Sequence, residues 1–213
     1  MRPIGIFGGM FDPIHYGHLR TVLELKRVVG LDAVHIVPCA NPPHRRDSMA
    51  DGSLRLRMIE AAIADEDGFV ADDRELKRAG LSYTVDTLAS FREDYPDSPL
   101  CLLLGMDAFL GLPRWHRSPD VLSLAHVVVA HRPGWQMPVT GALGELIAER
   151  RVGDVAELAR TLAGRLLVQP VTQLEISSTD LRASLRAGVD PKFLVPDSVR
   201  RIILDTECYA ENV

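Results

Sequence analysis

The chain has 213 residues, of which 46% are hydrophobic and 25% charged, and a formal net charge of −5. It is long enough to bury a sizeable core, and its acidity argues against a general nucleic-acid binder, which needs a basic face for many phosphates. The three cysteines, Cys39, Cys101 and Cys208, form no Cys-x-x-Cys pair, so a disulfide framework and a zinc site are not expected and a cytoplasmic location fits.

The first element is a strand predicted over 4–7, where Ile4, Ile6 and Phe7 form an apolar run too short for a secretory signal. It leads through Gly8-Gly9-Met10-Phe11-Asp12-Pro13-Ile14-His15-Tyr16-Gly17-His18 into a helix whose Leu19, Val22, Leu23, Val28 and Val29 recur at helical spacing. Glycines at a strand end let backbone N–H groups approach an anion, and a helix start adds unpaired donors and a positive dipole end. Gly17 is expected to leave room for a ligand. His15 and His18 can then face one anion. Two other readings stay open: a surface or core histidine with its own hydrogen bond, and a metal pair. For the latter the sequence offers no third ligand at a diagnostic spacing.

A second strand over 33–37 runs into a proline-rich loop, 38–46, where His44 and Arg45 can hold cations over a phosphate or form a solvated basic loop. Leu56, Ile59 and Ile63 share the face of the next helix, and a third strand is predicted over 69–71. Ser82 or Thr84 is expected to cap the helix that carries Val85, Leu88 and Ala89. A fourth strand, 100–104, ends in Gly105-Met106-Asp107, and a carboxylate there can accept from ribose hydroxyls. Trp115, one of two tryptophans, reads on its own as core packing.

A fifth strand is predicted over 127–130. The stretch 141–165 supplies helix formers and charges but no convincing strand, and reads as a helical insert within a single domain, 1–213. After a last strand over 166–168 comes Ile176-Ser177-Ser178-Thr179-Asp180-Leu181-Arg182, which opens a helix. Ser177 and Asp180 fit a capping box, while the hydroxyls, the helix N–H groups and Arg182 one turn in can hold outer phosphates. A final helix carries Val199, Ile202 and Ile203. Strands buried on both faces and alternating with helices indicate an α/β protein with an open parallel sheet, whose ligands sit outside the carboxyl ends of the strands. None of the apolar runs is long enough to span a bilayer, so no membrane partner is expected.

Gly8 to Leu19 resembles the signature of the nucleotidyltransferases with a His-x-Gly-His motif, here His15, Gly17 and His18. The further elements Arg74-Glu75, Ser82-Tyr83-Thr84, Asp86-Thr87-Leu88, Gly105-x-Asp107 with Trp115, and Ile176-Ser177-Ser178-Thr179-x-x-Arg182 resemble, in the same order, the bacterial nicotinate mononucleotide adenylyltransferases. The resemblance implies a Rossmann-like sheet with helices on both faces, a C-terminal helical part, and adenylyl transfer from ATP to nicotinate mononucleotide, with Mg²⁺ accompanying ATP. It implies catalytic roles for His15, His18 and Arg182, and an ATP site from Gly8, Gly9, Met10, Phe11, His15, His18, Ser177, Ser178, Thr179 and Arg182. His44, Arg45, Thr84, Gly105, Asp107 and Trp115 would serve the acceptor. Met10 stands where the family commonly has threonine or serine. Adenylyl or cytidylyl transfer to another phosphorylated acceptor such as pantetheine phosphate, a nucleotide-sensing module without turnover, and a homo-oligomeric state all remain open.

Overall fold

The structure is a computed structural model, and the residues it describes are 2–42, 50–131 and 137–210. Among the described residues seven strands are formed: β1 (Ile4–Gly9), β2 (Ala33–Pro38), β3 (Phe69–Ala71), β4 (Leu100–Gly105), β5 (His126–His131), β6 (Arg151–Val152) and β7 (Leu166–Pro170). They hydrogen-bond in the order β3-β2-β1-β4-β5-β7-β6. The pairs β1–β4, β4–β5, β5–β7 and β6–β7 are parallel, with Ile4 opposite Leu100 and Leu102 opposite Val127. Leu100 to Leu104 and Val127 to Ala130 are buried throughout, the signature of strands covered on both faces. Strand order reverses between β1 and β4, the point at which an open α/β sheet binds its ligands.

The helices are α1 (Tyr16–Val29), α2 (Gly52–Ile63), α3 (Arg74–Lys77), α4 (Thr84–Asp94), α5 (Met106–Gly111), α6 (Ser118–Leu124), α7 (Gly141–Arg150), α8 (Ser178–Arg186) and α9 (Asp197–Thr206). Among the described residues no helix is long and apolar enough to cross a membrane. The chain forms two compact units, one of Met1–Phe7, Thr21–His35 and Tyr83–Gln173, the other of Gly8–Arg20, Ile36–Ser82 and Leu174–Val213.

In the first unit α4 packs on α6, through a face that buries Val85, Leu88 and Phe91. Arg92 of α4 ties this unit together by donating to the carbonyls of Tyr95, Pro96, Ser98, Leu124 and Leu162. The predicted apolar stripe of α1 is narrower than expected. Val22, Leu25 and Val29 are buried but Val28 is 45% exposed, because consecutive helical residues point about 100° apart and cannot share one face. The stretch 141–165 does carry a strand: α7 ends at Arg150 and β6 follows at once, pairing Arg151 with Leu166 and Val152 with Leu167. Two residues at a sheet edge are too few for a periodicity to register.

In the second unit α2 packs on α9, burying Met58, Ile59 and Ile63 against a helix that buries Val199 and Ile203. The Ser198 hydroxyl donates to the Ala61 carbonyl at 2.7 Å. Leu56 is only half-buried, and the buried stripe instead includes Arg55.

Candidate active site

The Gly8–Leu19 stretch folds as a strand end, a tight loop and the first turn of α1. Phe11 takes a left-handed backbone, φ 48°, and its ring is 2% exposed. A bulky side chain held at positive φ is a strained arrangement that the surroundings must enforce. Gly9 is needed for it, since a Cβ there would lie 2.9 Å from the Phe11 ring. A Cβ at Gly8 would meet nothing within 4 Å, so the backbone there is approachable. Phe11 is therefore a core residue, and burial of its ring leaves its main chain as the part that could serve the ATP role expected of it.

Gly17 has a reason other than ligand approach. A Cβ on it would sit 3.0 Å from the His15 ring and 3.2 Å from the Leu174 carbonyl oxygen, tighter than ordinary van der Waals contact. The glycine of His-x-Gly-His thus makes room for its own histidine. His15 is 4% exposed and stacks on His18, with ring centroids 3.7 Å apart and planes 25° from parallel. The Phe11 ring meets His18 edge-on at 5.1 Å. The buried Nδ1 of His15 has no hydrogen-bond partner among the described residues.

Burial disfavours the charged form of both rings. It pushes the His15 pKa down to about 4, and holds that of His18 well below the usual histidine range, with the neighbouring His15 adding to the effect. Two cationic rings in van der Waals contact would repel strongly, so the pair is neutral near pH 7. Each neutral ring then carries one N–H donor.

The Ser177–Arg182 segment meets this loop. Ser177 caps α8, its hydroxyl accepting from the Asp180 N–H at 3.4 Å, as the capping-box reading expects. The Ser178 hydroxyl donates to the Pro13 carbonyl at 3.1 Å, and Arg182 Nη1 donates to the Asp12 carbonyl at 2.7 Å. Arg182 Nη2 also reaches the Thr179 hydroxyl at 3.4 Å. Ser178 and one edge of Arg182 are thus committed to the loop, while Thr179 is exposed at the helix start.

Asp12, read from sequence only as a turn former, is 2% exposed. Its Oδ1 accepts from the Tyr209 hydroxyl at 2.6 Å and from the Ala50 N–H at 3.3 Å. Burial, reinforced by the Asp12 charge, pushes the Tyr209 phenol up and keeps it a donor. Sequence reasoning missed Tyr209, which lies in a polar C-terminal segment without periodic signal. It also missed Arg55, whose presence on an otherwise apolar helix stripe is a usable cue.

In the first unit, Gly105 ends β4 and caps α5, Asp107 is exposed in the first turn of α5, and Thr84 is the first residue of α4. The α4 cap differs from expectation. Tyr83 occupies the cap position without a side-chain bond. Ser82, in the second unit, instead accepts from the Ala40 and Asn41 N–H groups, both at 3.2 Å, and its own N–H donates to the Asn41 carbonyl. That pairing ties the 80–82 turn to the loop after β2. Trp115 is half-buried and follows a short 3-10 turn, and its neighbour His116 lies against the Tyr83 ring with centroids 4.2 Å apart. Tyr83 and the segment that follows the tryptophan are therefore neighbours within this unit. His44 and Arg45 lie outside the described residues.

A parallel sheet whose strand order reverses between β1 and β4, with helices around it, is the Rossmann-like α/β arrangement of the nucleotidyltransferases. Residues 6–184 match the family described as cytidylyltransferase-like, and the chain belongs to it. The probable nicotinate-nucleotide adenylyltransferase of Methylococcus capsulatus is 48% identical over 209 residues, covering 98% of this chain and 100% of that protein. Its counterpart in Aeromonas hydrophila is 46% identical over 207 residues, covering 97% of each. In fold, the chain resembles the Plasmodium falciparum nicotinic acid mononucleotide adenylyltransferase complexed with NaAD, with a TM-score of 0.75 at 18% identity and 98% coverage of both chains.

Proposed function

We propose that this chain transfers the adenylyl group of ATP to nicotinate mononucleotide, releasing pyrophosphate and forming nicotinate adenine dinucleotide in NAD biosynthesis. The observation that carries the reading is the relatedness at 48% and 46% identity, over essentially the whole chain, to proteins named for that activity. The cluster of His15, His18, Ser178 and Arg182 around one loop supports it with suitable chemistry.

The acceptor's 5′-phosphate attacks the α-phosphorus of ATP in line. A phosphate dianion is already deprotonated, so no strong base is required and catalysis rests on alignment and on stabilising charge in the leaving pyrophosphate. In this reading Gly8, Gly9, Met10 and Phe11 serve the triphosphate with main-chain groups, and His15 and His18 with ring N–H donors. Ser177, Ser178, Thr179 and Arg182 serve its outer phosphates. Ser178 would have to exchange its Pro13 bond for a phosphate bond, or contribute its N–H alone. His44 and Arg45 are assigned to the reacting phosphates. Thr84, Gly105, Asp107 and Trp115 are assigned to the mononucleotide, with Trp115 against the pyridine ring and Asp107 on a ribose. Mg²⁺ would arrive as part of the ATP substrate, held by phosphates and water. Among the described residues no group of three or more His, Cys, Asp or Glu side chains is placed to hold a metal ion. The chain would work as one cytoplasmic nucleotidyltransferase domain with its insert at 141–165.

Pyrophosphate release, measured in parallel with nicotinate and nicotinamide mononucleotide and with ATP against CTP, tests the reading. Rapid release with ATP and the nicotinate form is expected. Release only with CTP, or with neither mononucleotide, overturns it.

A further inference from the structure

Arg55 of α2 is 1% exposed, a rare place for a guanidinium. Its hydrogen bonds go to main-chain carbonyls that lie far apart in sequence. Nη1 donates to Met10 at 2.7 Å, just after β1, and Nη2 to Cys39 at 2.8 Å, just after β2. Nε donates to Ala50 at 3.2 Å, ahead of α2. A planar fork with several fixed donors can hold three carbonyls at once, which a lysine ammonium on a flexible stem cannot do in the same geometry.

The consequence follows from peptide planarity. In a trans peptide the N–H points opposite to the C=O of the preceding residue. With the Met10 carbonyl drawn toward Arg55, the Phe11 N–H is turned away from α2. The left-handed backbone and buried ring of Phe11 fix the other side of the same peptide.

We propose that Arg55 is a positioning residue for the phosphate loop. By holding the Met10 and Cys39 carbonyls back, it orients the main-chain donors after β1 for a triphosphate, and it places a buried positive charge behind that anion. Ala50 is gripped from both ends, its N–H by Asp12 and its carbonyl by Arg55. Met10 then contributes its carbonyl, a group present whatever side chain stands at that position. This role rests on the reading of the loop as an ATP site.

The test is equilibrium ATP binding by calorimetry, without any mononucleotide, on the wild-type chain, Arg55→Lys and Arg92→Lys. Arg92 is the matched control, since it too holds main-chain carbonyls but in the other unit. Arg55→Lys is expected to bind ATP roughly 10- to 100-fold more weakly, with Arg92→Lys near wild type. In turnover, Arg55→Lys should raise KM for ATP and leave KM for the acceptor nearly unchanged. ATP affinity unaltered in Arg55→Lys, or lost equally in both variants, overturns the role. Failure of the wild-type protein to bind ATP overturns the functional reading itself. Should Arg55→Lys not fold, NMR of ¹⁵N-arginine in the ATP-free wild-type protein decides. Hindered guanidinium rotation at Arg55 is expected, and free rotation overturns the proposal.

Discussion

His15 and His18 face each other at 3.7 Å in a setting that disfavours charge on either ring, and two consequences belong to these residues alone. The first is an acid sensitivity. The folded-state pKa of His15 lies near 4 against 6.5 unperturbed, so between those values the unfolded chain takes up a proton that the folded chain refuses. Stability is complete above about pH 6.5 and falls as pH drops toward 4, by at most about 3 kcal/mol from this ring. Urea unfolding near pH 7.5 and near pH 5 should show that loss shrinking in His15→Asn. An equal loss in wild type and variant would assign the sensitivity to other groups. The second concerns turnover. A preorganised donor to a developing phosphate charge is worth roughly 100- to 1,000-fold in kcat, so His18→Ala, folded, should lose about that much. Near-normal turnover would remove His18 from the chemistry.

Among elements, the loop before α1 is a meeting place. The start of α8 holds the Asp12 and Pro13 carbonyls, α2 holds that of Met10, and the segment after α9 supplies Tyr209 to the Asp12 carboxylate. These anchors all belong to the second unit, and each engages a backbone or carboxylate oxygen of the loop. Tyr209→Phe keeps the ring packing and removes one donor to a buried carboxylate, which costs about 1.5 to 3 kcal/mol for a hydrogen bond to a charged group. The urea midpoint should fall with the m-value unchanged. A shift equivalent to less than about 0.5 kcal/mol would show that Asp12 finds another partner. The capping box at Ser177 was readable from its spacing. The diversion of Ser82 from cap to loop clasp was not, because its partners at Ala40 and Asn41 lie about forty residues away.

For the molecule as a whole, ligand binding should register in the second unit. At an ATP concentration about 100 times Kd the folded chain gains about 2.7 kcal/mol, a rise in Tm of several degrees for a protein of this size. Hydrogen exchange with ATP alone should slow chiefly in Gly8–Arg20 and at the start of α8. Protection confined to 83–173 would put the nucleotide elsewhere.

The alternation of strands and helices and their order along the chain were legible in sequence, since periodicity, glycine placement and cap patterns are local properties of the chain. Six strands were readable for that reason, and β6 was not, because an edge pair of two residues exists only through its partner β7. The sequence by itself determined the fold class, the family resemblance and the histidine, hydroxyl and arginine residues grouped around the first loop. Tertiary structure alone decided what those residues touch: that Gly17 accommodates His15, that Ser178 and Arg182 hold the loop's carbonyls, and that Arg55 and Tyr209 belong with them. The physical reason is that hydrogen-bond satisfaction in a buried loop is settled by groups distant in sequence, which no local pattern can encode.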